Sequence, residues 1–332
     1  MSVTIKDVAK EAGVSVATVS RVLNGSCNVS DESAQRVNDA VEKLRYSPNF
    51  LGRNLRKRET NVILVIMPTS EHSLYSKIIM GMQKYAEKIG YDIISAVTGS
   101  ASTVEARQMT MLFNRTVDGV VLLGTQYDAE ELNKLAQNYD IALCCEGVDG
   151  ADVLTVAVDD EQGAYDAVTA LISKGHKRIG FVGIDSKTAI SAIDRENGYK
   201  RALAEHGIAE SEELIYRENY EYDCGERAAE YFAGLENRPT AIFAVSDLLA
   251  ISVINKLHEL GIEAGQDIGV IGFDNITMCE MMRPKISTVE QPCEKMGELV
   301  ITKLIENIHS EHKDTKYYTV KHRVILREST GD

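Results

Sequence analysis

Three hydroxyl side chains and an arginine occur together near the start of the chain, where residues 15–21 read Ser-Val-Ala-Thr-Val-Ser-Arg. Hydroxyl groups and helix N-termini donate hydrogen bonds to phosphate oxygens. A guanidinium group can donate two hydrogen bonds to O6 and N7 of a guanine. On one helix, these groups favour a contact with nucleic acid. The alternative is a capped surface helix without a partner.

A basic segment supports the contact with nucleic acid. Arg53, Arg56, Lys57 and Arg58 follow one another in a stretch that also has leucines at positions 51 and 55. A leucine beside arginines can insert between base steps in the minor groove while the arginines contact phosphates. The alternative is an amphipathic linker helix that packs against the rest of the protein. We favour DNA contact, because the segment lies where a linker between two domains belongs.

Carboxylates recur directly after apolar runs in the remainder of the chain. They are Glu146, Asp159, Asp160, Asp247 and Asp274. A carboxylate at the end of a strand can accept hydrogen bonds from the hydroxyl groups of a small polar ligand, or it can cap the helix that follows. For Asp159, Asp160 and Ser246 we expect helix capping.

The sequence contains no motif typical of an enzyme or a metal site. The patterns G-x-x-x-x-G-K-[ST], G-x-S-x-G and H-E-x-x-H are all absent. The six cysteines form no C-x-x-C pair, so we expect buried, reduced thiols. The charged N-terminus and the short apolar runs argue against a signal peptide and a transmembrane helix. We therefore expect a cytoplasmic protein without a metal or cofactor.

The formal net charge of −14 is unevenly distributed. Residues 1–60 contain ten Lys and Arg against seven Asp and Glu, a net charge of +3, whereas residues 61–332 carry −17. An acidic body repels DNA and suppresses loose non-specific binding. We therefore expect a contact with DNA to be confined to the first sixty residues and to weaken with salt.

Three short helices are predicted in the first 45 residues, because each has a capping residue at its start. Thr4 begins the first helix, which ends before Gly13. Ser15 begins the second, which continues to about Leu23, and Ser30 begins the third. Two helices joined by a turn with a glycine form a helix-turn-helix. Pro48 then interrupts the pattern, and a further short helix is predicted at about 49–56.

From residue 61 the pattern changes to short apolar runs that alternate with amphipathic stretches. The runs are at Val62–Met67, Asp92–Val97, Gly119–Gly124, Ile141–Glu146, Val153–Val158, Arg178–Gly183, Ala241–Ser246 and Asp267–Phe273. Such alternation is typical of parallel sheets covered on both faces. We predict two doubly wound α/β subdomains with a ligand cleft between them at the carboxyl ends of the strands. Two late runs, 286–291 and 317–326, are expected to complete the sheets.

Specific motifs carry a family resemblance. Residues 3–24 contain Val-Thr-Ile-Lys-Asp-Val-Ala, Ala-Gly-Val-Ser and Thr-Val-Ser-Arg-Val-Leu-Asn, and Tyr-Ser-Pro-Asn follows at 46–49. The similarity continues through Gly-His-Lys-Arg-Ile-Gly-Phe at 175–181, Gly-Val-Ile-Gly-Phe-Asp at 269–274 and Ile-Ser-Thr-Val-Glu-Gln-Pro at 286–292. Over nearly its whole length the chain resembles the LacI/GalR family of bacterial transcriptional regulators.

This resemblance implies a homodimer or a tetramer that binds a pseudo-palindromic operator in double-stranded DNA. Val16, Ala17 and Arg21 are then expected to face base edges. The residues expected to hold phosphates are Thr4, Ser15, Thr18, Ser20, Asn24 and Asn49, with Asn28 at a further contact position. Leu55 matches the hinge leucine that intercalates, whereas Gly52 stands where alanine is common. Because glycine costs about 1 kcal/mol more than alanine in a helix, we predict that this hinge folds only on DNA, which NMR of the free protein can test.

The resemblance also implies effector contacts in the cleft. They are expected at Leu74, Tyr75, Glu146, Arg195, Tyr220, Asp247, Asp274 and Gln291. Arg195 matches the family's effector arginine, and its alternative role is a surface ion pair. Glu146 stands near a position where many sugar-responsive relatives have aspartate. The chain has no tryptophan, so an aromatic ring that stacks on a sugar must belong to Tyr or Phe.

The prediction is a repressor, not an enzyme, whose operator affinity is controlled by a small polar metabolite such as a sugar. The predicted domains are a headpiece at 1–46, a hinge at 47–60 and an effector-binding and dimerisation domain at 61–332. Within the last, we expect an N-subdomain at about 61–158 and 288–318 and a C-subdomain at about 159–287 and 319–332. A solute-binding module and an enzyme on the same two-lobed fold are disfavoured alternatives, because secretion signal, nucleophile and metal cluster are all missing from the sequence.

Overall fold

The computed structural model describes residues 3–23, 29–46, 59–70, 73–99, 102–185, 189–218 and 221–332. The chain divides into two units, Met1–Thr60 and Asn61–Asp332. The predicted hinge helix lies outside the described residues, and so do Asn24, Asn28, Asn49, Gly52, Leu55 and Tyr220. Within the described ranges, no helix is long and apolar enough to cross a membrane.

The first unit has three helices in its described part. They are α1 at Ile5–Ala12, α2 at Val16–Leu23 and α3 at Asp31–Leu44. Their starts agree with the sequence prediction. Before α1, the Asp7 carboxylate accepts hydrogen bonds from the amide and the hydroxyl of Thr4, at 2.8 and 2.7 Å. Before α2, the Ser15 hydroxyl accepts the Thr18 amide at 3.1 Å.

A small apolar core holds these three helices together. Val8 of α1, Val19 of α2 and Val37 of α3 are fully buried against one another. Gly13 ends α1 with a positive φ of 66°, a conformation that glycine adopts without steric cost. The turn sets α2 at the surface with one face buried and the other exposed.

The second unit is built from strands that alternate with helices. The strands are β1 Val62–Met67, β2 Asp92–Val97, β3 Gly119–Leu122, β4 Ile141–Cys144, β5 Leu154–Val158, β6 Ile179–Ile184, β7 Ile215–Glu218, β8 Ala241–Ala244, β9 Gly269–Asp274, β10 Ser287–Glu290, β11 Tyr317–Val320 and β12 Arg323–Ile325. The helices are α4 Ser73–Ile89, α5 Ser102–Phe113, α6 Ala129–Ala136, α7 Asp160–Ser173, α8 Ile190–Glu205, α9 Tyr222–Gly234, α10 Asp247–Glu259, α11 Met278–Met281 and α12 Cys293–Ile308.

These strands form two six-stranded sheets, so the prediction of two doubly wound subdomains is confirmed. The first sheet has the order β11-β5-β4-β3-β1-β2 and is parallel throughout, and the second has the order β12-β10-β9-β8-β6-β7. Among the strands of the described residues, only β12 runs antiparallel to its neighbour. We call the two sheets with their helices the first and second lobe. In each sheet, successive strands are added first on one side and then on the other side of the lobe's first strand, which is β1 in the first lobe and β6 in the second. Such folds bind ligands at this switch point.

The crossovers between the lobes lie slightly later than the predicted limits of 288 and 319. β10 pairs with β9 of the second sheet through Glu290, and β11 pairs with β5 of the first sheet through Val320. The predicted limits would divide both strands. The chain therefore crosses at 291–292 and again at 321–322, because the paired backbone of each strand keeps it in one sheet.

Candidate functional site

The exposed face of α2 carries the side chains expected to read bases. Val16, Ala17 and Arg21 are exposed, whereas Val19 is fully buried. Residues 16, 17 and 21 share one side of a helix because four residues complete about one turn. The face thus presents two small apolar groups beside one guanidinium, a set that can contact thymine methyl groups and guanine.

Three of the four described hydroxyls expected to hold phosphates lie at the start of a helix. Ser15 is exposed, and its hydroxyl shares a hydrogen bond of 2.9 Å with the Thr18 hydroxyl. Ser20 is half-buried. Thr4 is exposed at the start of α1, and its hydrogen bonds to Asp7 lower the pKa of that carboxyl. Thr4 thus lies at the N-terminus of α1, and Ser15 and Thr18 lie at that of α2, where anions bind favourably.

Two adjoining cavities lie between the lobes of the second unit. The smaller has a volume of about 180 Å³ and the larger about 630 Å³, and both are lined by Glu146, Gly147 and Ile190. The first lobe contributes the loop after β4, and the second lobe contributes the start of α8. This is the cleft that the sequence predicts at the carboxyl ends of the strands. Of the described residues expected to contact the effector, Glu146 lines it directly.

A buried network links the smaller cavity to the interior of the second lobe. Arg195 of α8 donates to the Asp160 carboxylate at 2.8 Å and to the Val245 carbonyl at 2.6 Å. Its guanidinium lies 3.7 Å from the centre of the Phe273 ring and 3.6 Å from Asp274 Oδ1. Arg195 is only 6% exposed, so it is not in a surface ion pair. It holds α8, α7 and the ends of β8 and β9 together.

Asp274 and Gln291 complete the network. The Gln291 amide donates to Asp274 Oδ1 at 2.7 Å, and both side chains are buried. Asp274 has a φ of 114°, a backbone conformation that residues other than glycine rarely adopt. The structure therefore brings together Arg195, Asp274 and Gln291, which are far apart in the sequence.

Like Arg195, Asp274 and Gln291, three more of the expected effector residues are not among the lining residues of either cavity. Asp247 is fully buried, and its carboxylate accepts the Ile276 amide at 2.8 Å and the Thr288 hydroxyl at 2.6 Å. Burial and the nearby Asp274 charge raise the pKa of Asp247 to about 7. Leu74 is buried in the core, and Tyr75 packs against that core.

The capping prediction is confirmed for two of the three residues concerned. Asp159 accepts the Gln162 amide at 2.8 Å at the start of α7, and Ser246 accepts the Leu249 amide at 3.3 Å at the start of α10. The prediction is wrong for Asp160, which is the first residue of α7 and binds Arg195. Burial raises the pKa of Asp160 to about 7, and the Arg195 guanidinium opposes this rise.

Sequence reasoning missed several residues of the smaller cavity. Ser191 and Asp194 lie on α8, and Tyr317 and Thr319 lie on β11. The Ser191 hydroxyl donates to the Glu146 carboxylate and so joins the two lobes. The spacing of Ser191, Asp194 and Arg195 on one helix was a usable signal. Tyr317 had none, because it reaches the cavity only when β11 pairs with β5. Among the described residues, no group of His, Cys, Asp and Glu side chains is arranged to hold a metal ion.

Comparisons with known proteins place the chain among bacterial regulators. Residues 4–49 match the model for bacterial regulatory proteins of the lacI family, and residues 168–330 match a periplasmic binding protein-like domain. The catabolite control protein A of Priestia megaterium is 34% identical over 99% of this chain and 100% of its own length. The transcriptional repressor PurR of Vibrio atlanticus is 32% identical over 98% of each chain.

A solved structure agrees with these relatives. The transcriptional regulator CelR in complex with cellobiose is 27% identical, covers 98% of this chain and 99% of its own, and superposes with a TM-score of 0.73. The relatives over 30% identical span both units, and they are regulators rather than enzymes. The chain belongs to the lacI family of bacterial regulatory proteins and is a DNA-binding transcriptional regulator.

Proposed function

We propose that the protein is a homodimeric repressor that binds a pseudo-palindromic operator through its first unit and is controlled by a small polar metabolite in the cleft of its second unit. The observation that carries this proposal is the exposed face of α2, with Val16, Ala17 and Arg21 clear of the core. Such a face is free to enter a major groove, which admits one helix. The protein acts in the cytoplasm, where this DNA is accessible.

Charge supports the assignment of DNA binding to the first unit. Residues 1–60 carry +3 and the remainder −17. The phosphate backbone supplies the sequence-independent part of affinity, and the acidic second unit cannot supply it. Base choice then rests on α2. Val16 and Ala17 donate no hydrogen bonds from their side chains, so they select thymine methyl groups or shape, and Arg21 selects guanine.

Contacts across the cleft support control by a ligand. The Ser191 hydroxyl of the second lobe donates to Glu146 of the first, and Lys77 Nζ of α4 donates to the Asn275 carbonyl after β9 at 2.8 Å. A ligand that replaces or strengthens such contacts changes the relative position of the lobes. An effector shifts an equilibrium only through its different affinity for the two arrangements. CelR, which was solved with cellobiose, is a precedent for a sugar as the effector.

The experiment that tests DNA recognition substitutes Arg21→Ala. We expect a loss of about 1–3 kcal/mol on a specific operator selected from genomic fragments, with relaxed base choice, and a smaller loss on random DNA. Arg36→Ala is the control, because Arg36 is exposed on α3 and carries the same charge. Fluorescence anisotropy at fixed salt measures both. Equal losses on operator and random DNA would contradict a base-reading role for Arg21.

A further inference from the structure

The smaller cavity of the cleft is lined by an excess of carboxylates. Glu146, Asp159, Asp160 and Asp194 are all among its lining residues. The larger cavity adds Asp128, Glu130 and Asp149. Among the described residues that line either cavity, none is Lys, Arg or His. A ligand in this cleft therefore meets negative charge on several sides.

Among the described residues, the arginine that binds a carboxylate of this lining is already shared. Arg195 is not itself a lining residue, and it contacts Asp160, the Val245 carbonyl and Asp274. One guanidinium is thus shared by two buried carboxylates, and Glu146, Asp159 and Asp194 remain outside this cluster. The pKa of Asp194 is raised by burial and by the charges of Glu161 and Asp159. Within the lining, the charges of Asp159 and Glu146 thus repel that of Asp194.

One buried acceptor of the Arg195–Asp274–Gln291 network has no donor among the described residues. Gln291 is 4% exposed, its amide nitrogen binds Asp274, and its Oε1 has no hydrogen-bond partner within the described part of the chain. A buried acceptor without a donor costs free energy. Within the described part of the chain, this network therefore contains one unsatisfied buried oxygen.

An aromatic ring lies at the edge of the same cavity. Tyr317 lines it beside Gly147, and a Cβ at position 147 would lie 2.8 Å from the Tyr317 ring. Glycine therefore lets the ring lie close against the loop after β4. The face of a tyrosine ring attracts a cation within about 6 Å. A ring beside several carboxylates is a combination that suits an ammonium group better than an uncharged hydroxyl group.

We infer that the effector of this cleft carries a protonated amine, which the carboxylates of the smaller cavity bind while the polar remainder of the ligand occupies the larger cavity. An aminated sugar and an aliphatic polyamine share this chemistry. The same lining disfavours sugar phosphates and other anions, because like charges repel across a poorly solvated cleft. The inference rests on the proposed function only in assuming that the cleft is the effector site.

The test is a thermal-shift and calorimetric comparison of matched ligands on the full chain. The probes are glucosamine against glucose, N-acetylglucosamine and glucose 6-phosphate, and putrescine against butanediol, each at about 10 mM, since a ligand of the native state raises its stability. We expect stabilisation by at least one amine and not by its neutral partner. Stabilisation by a neutral sugar or by the phosphate to the same degree, or by no amine, would overturn the inference.

Variants locate the charge effect in the cleft. Asp194→Asn keeps the shape of the side chain and removes one charge, so it should lower the affinity for the amine by roughly tenfold. Glu146→Gln, which retains an acceptor for Ser191, should do the same. Glu236→Gln removes a carboxylate exposed after α9 and should leave the affinity unchanged. Unchanged affinity in both cleft variants would contradict the inference.

The inference and the proposed function fail differently. If a neutral sugar binds and changes operator affinity, the inference of an amine effector is refuted, but the proposed control by a ligand is supported. If an amine binds without changing operator affinity, the cleft does bind an amine, but the proposed control of operator binding by that ligand is refuted. Gel shifts with the same ligands separate these results.

Discussion

Replacement of Arg195 should destabilise the second unit by an amount that its buried contacts determine. Arg195→Ala removes the ion pair with Asp160 at 2.7 Å and the hydrogen bond to the Val245 carbonyl. Removing one partner of a buried ion pair costs about 3–5 kcal/mol, because the other charge stays buried without compensation. Here two carboxylates, Asp160 and Asp274, lose their shared cation. We therefore expect a loss of about 3–5 kcal/mol in the free energy of unfolding.

The loss should depend on pH in a defined direction. Burial already raises the pKa of Asp160 to about 7 in the presence of Arg195. Without the guanidinium this pKa rises further, so the folded variant binds a proton that the unfolded chain does not. Stability that depends on such a raised pKa is present at low pH and lost as pH rises through the folded-state value. The destabilisation should be smaller at about pH 5.5 than at about pH 8.

Urea titration of the full chain, followed by far-UV circular dichroism, measures this effect, since the chain has no tryptophan for fluorescence. Arg323→Ala is the control, because the Arg323 side chain is 70% exposed in its pair with Glu290. An exposed pair of this kind contributes about 0–1 kcal/mol. Similar small losses for Arg195→Ala and Arg323→Ala, or a larger loss for Arg195→Ala at the lower pH, would refute the reasoning.

Two further predictions concern the second unit. Because burial raises the pKa of Asp160 and of Asp247 to about 7, these two carboxyl groups bind more protons in the folded chain than in the unfolded chain between about pH 5 and 7. The free energy of unfolding should therefore fall as pH rises through this window, which urea titrations at stepped pH measure. A free energy of unfolding that increases with pH would contradict the raised pKa values of these two carboxyl groups. Gly297→Ala should lower the free energy of unfolding by about 1–3 kcal/mol. The added Cβ would lie 2.0 Å from the Ile78 carbonyl oxygen, where α12 packs on α4. Gly234→Ala is its control, since no atom lies within 4 Å of that Cβ, and equal melting temperatures for the two variants would contradict the packing argument.

The local features of the first unit could be predicted from the sequence because they depend on neighbouring residues. Thr4, Ser15 and Ser30 each begin a helix through contacts within three residues. The apolar runs of the sheets are similarly readable, since continuous burial requires continuous apolar sequence. The strand β7 was not predicted. It lies at a sheet edge and contains Arg217 and Glu218, so it lacks an apolar signature.

The cleft could be predicted only in outline, because its residues are brought together by tertiary contacts. Asp159 and Asp160 are adjacent and chemically identical, yet one caps a helix and the other binds an arginine 35 residues away. No local pattern distinguishes them. Tyr317 comes from the strand that returns to the first sheet after α12, and its approach to Gly147 depends on the register between β11 and β5.

Linkage between the cleft and the operator is the central claim, and one titration tests it. Operator affinity of the full chain is measured by fluorescence anisotropy with and without a saturating ligand from the thermal-shift comparison. The account predicts a change of about 1–3 kcal/mol, roughly 5- to 150-fold in Kd, and a reciprocal change in ligand affinity when operator is bound. The linkage would be contradicted by a ligand that leaves the operator Kd unchanged although it binds in the cleft, as shown by its weaker binding to Glu146→Gln.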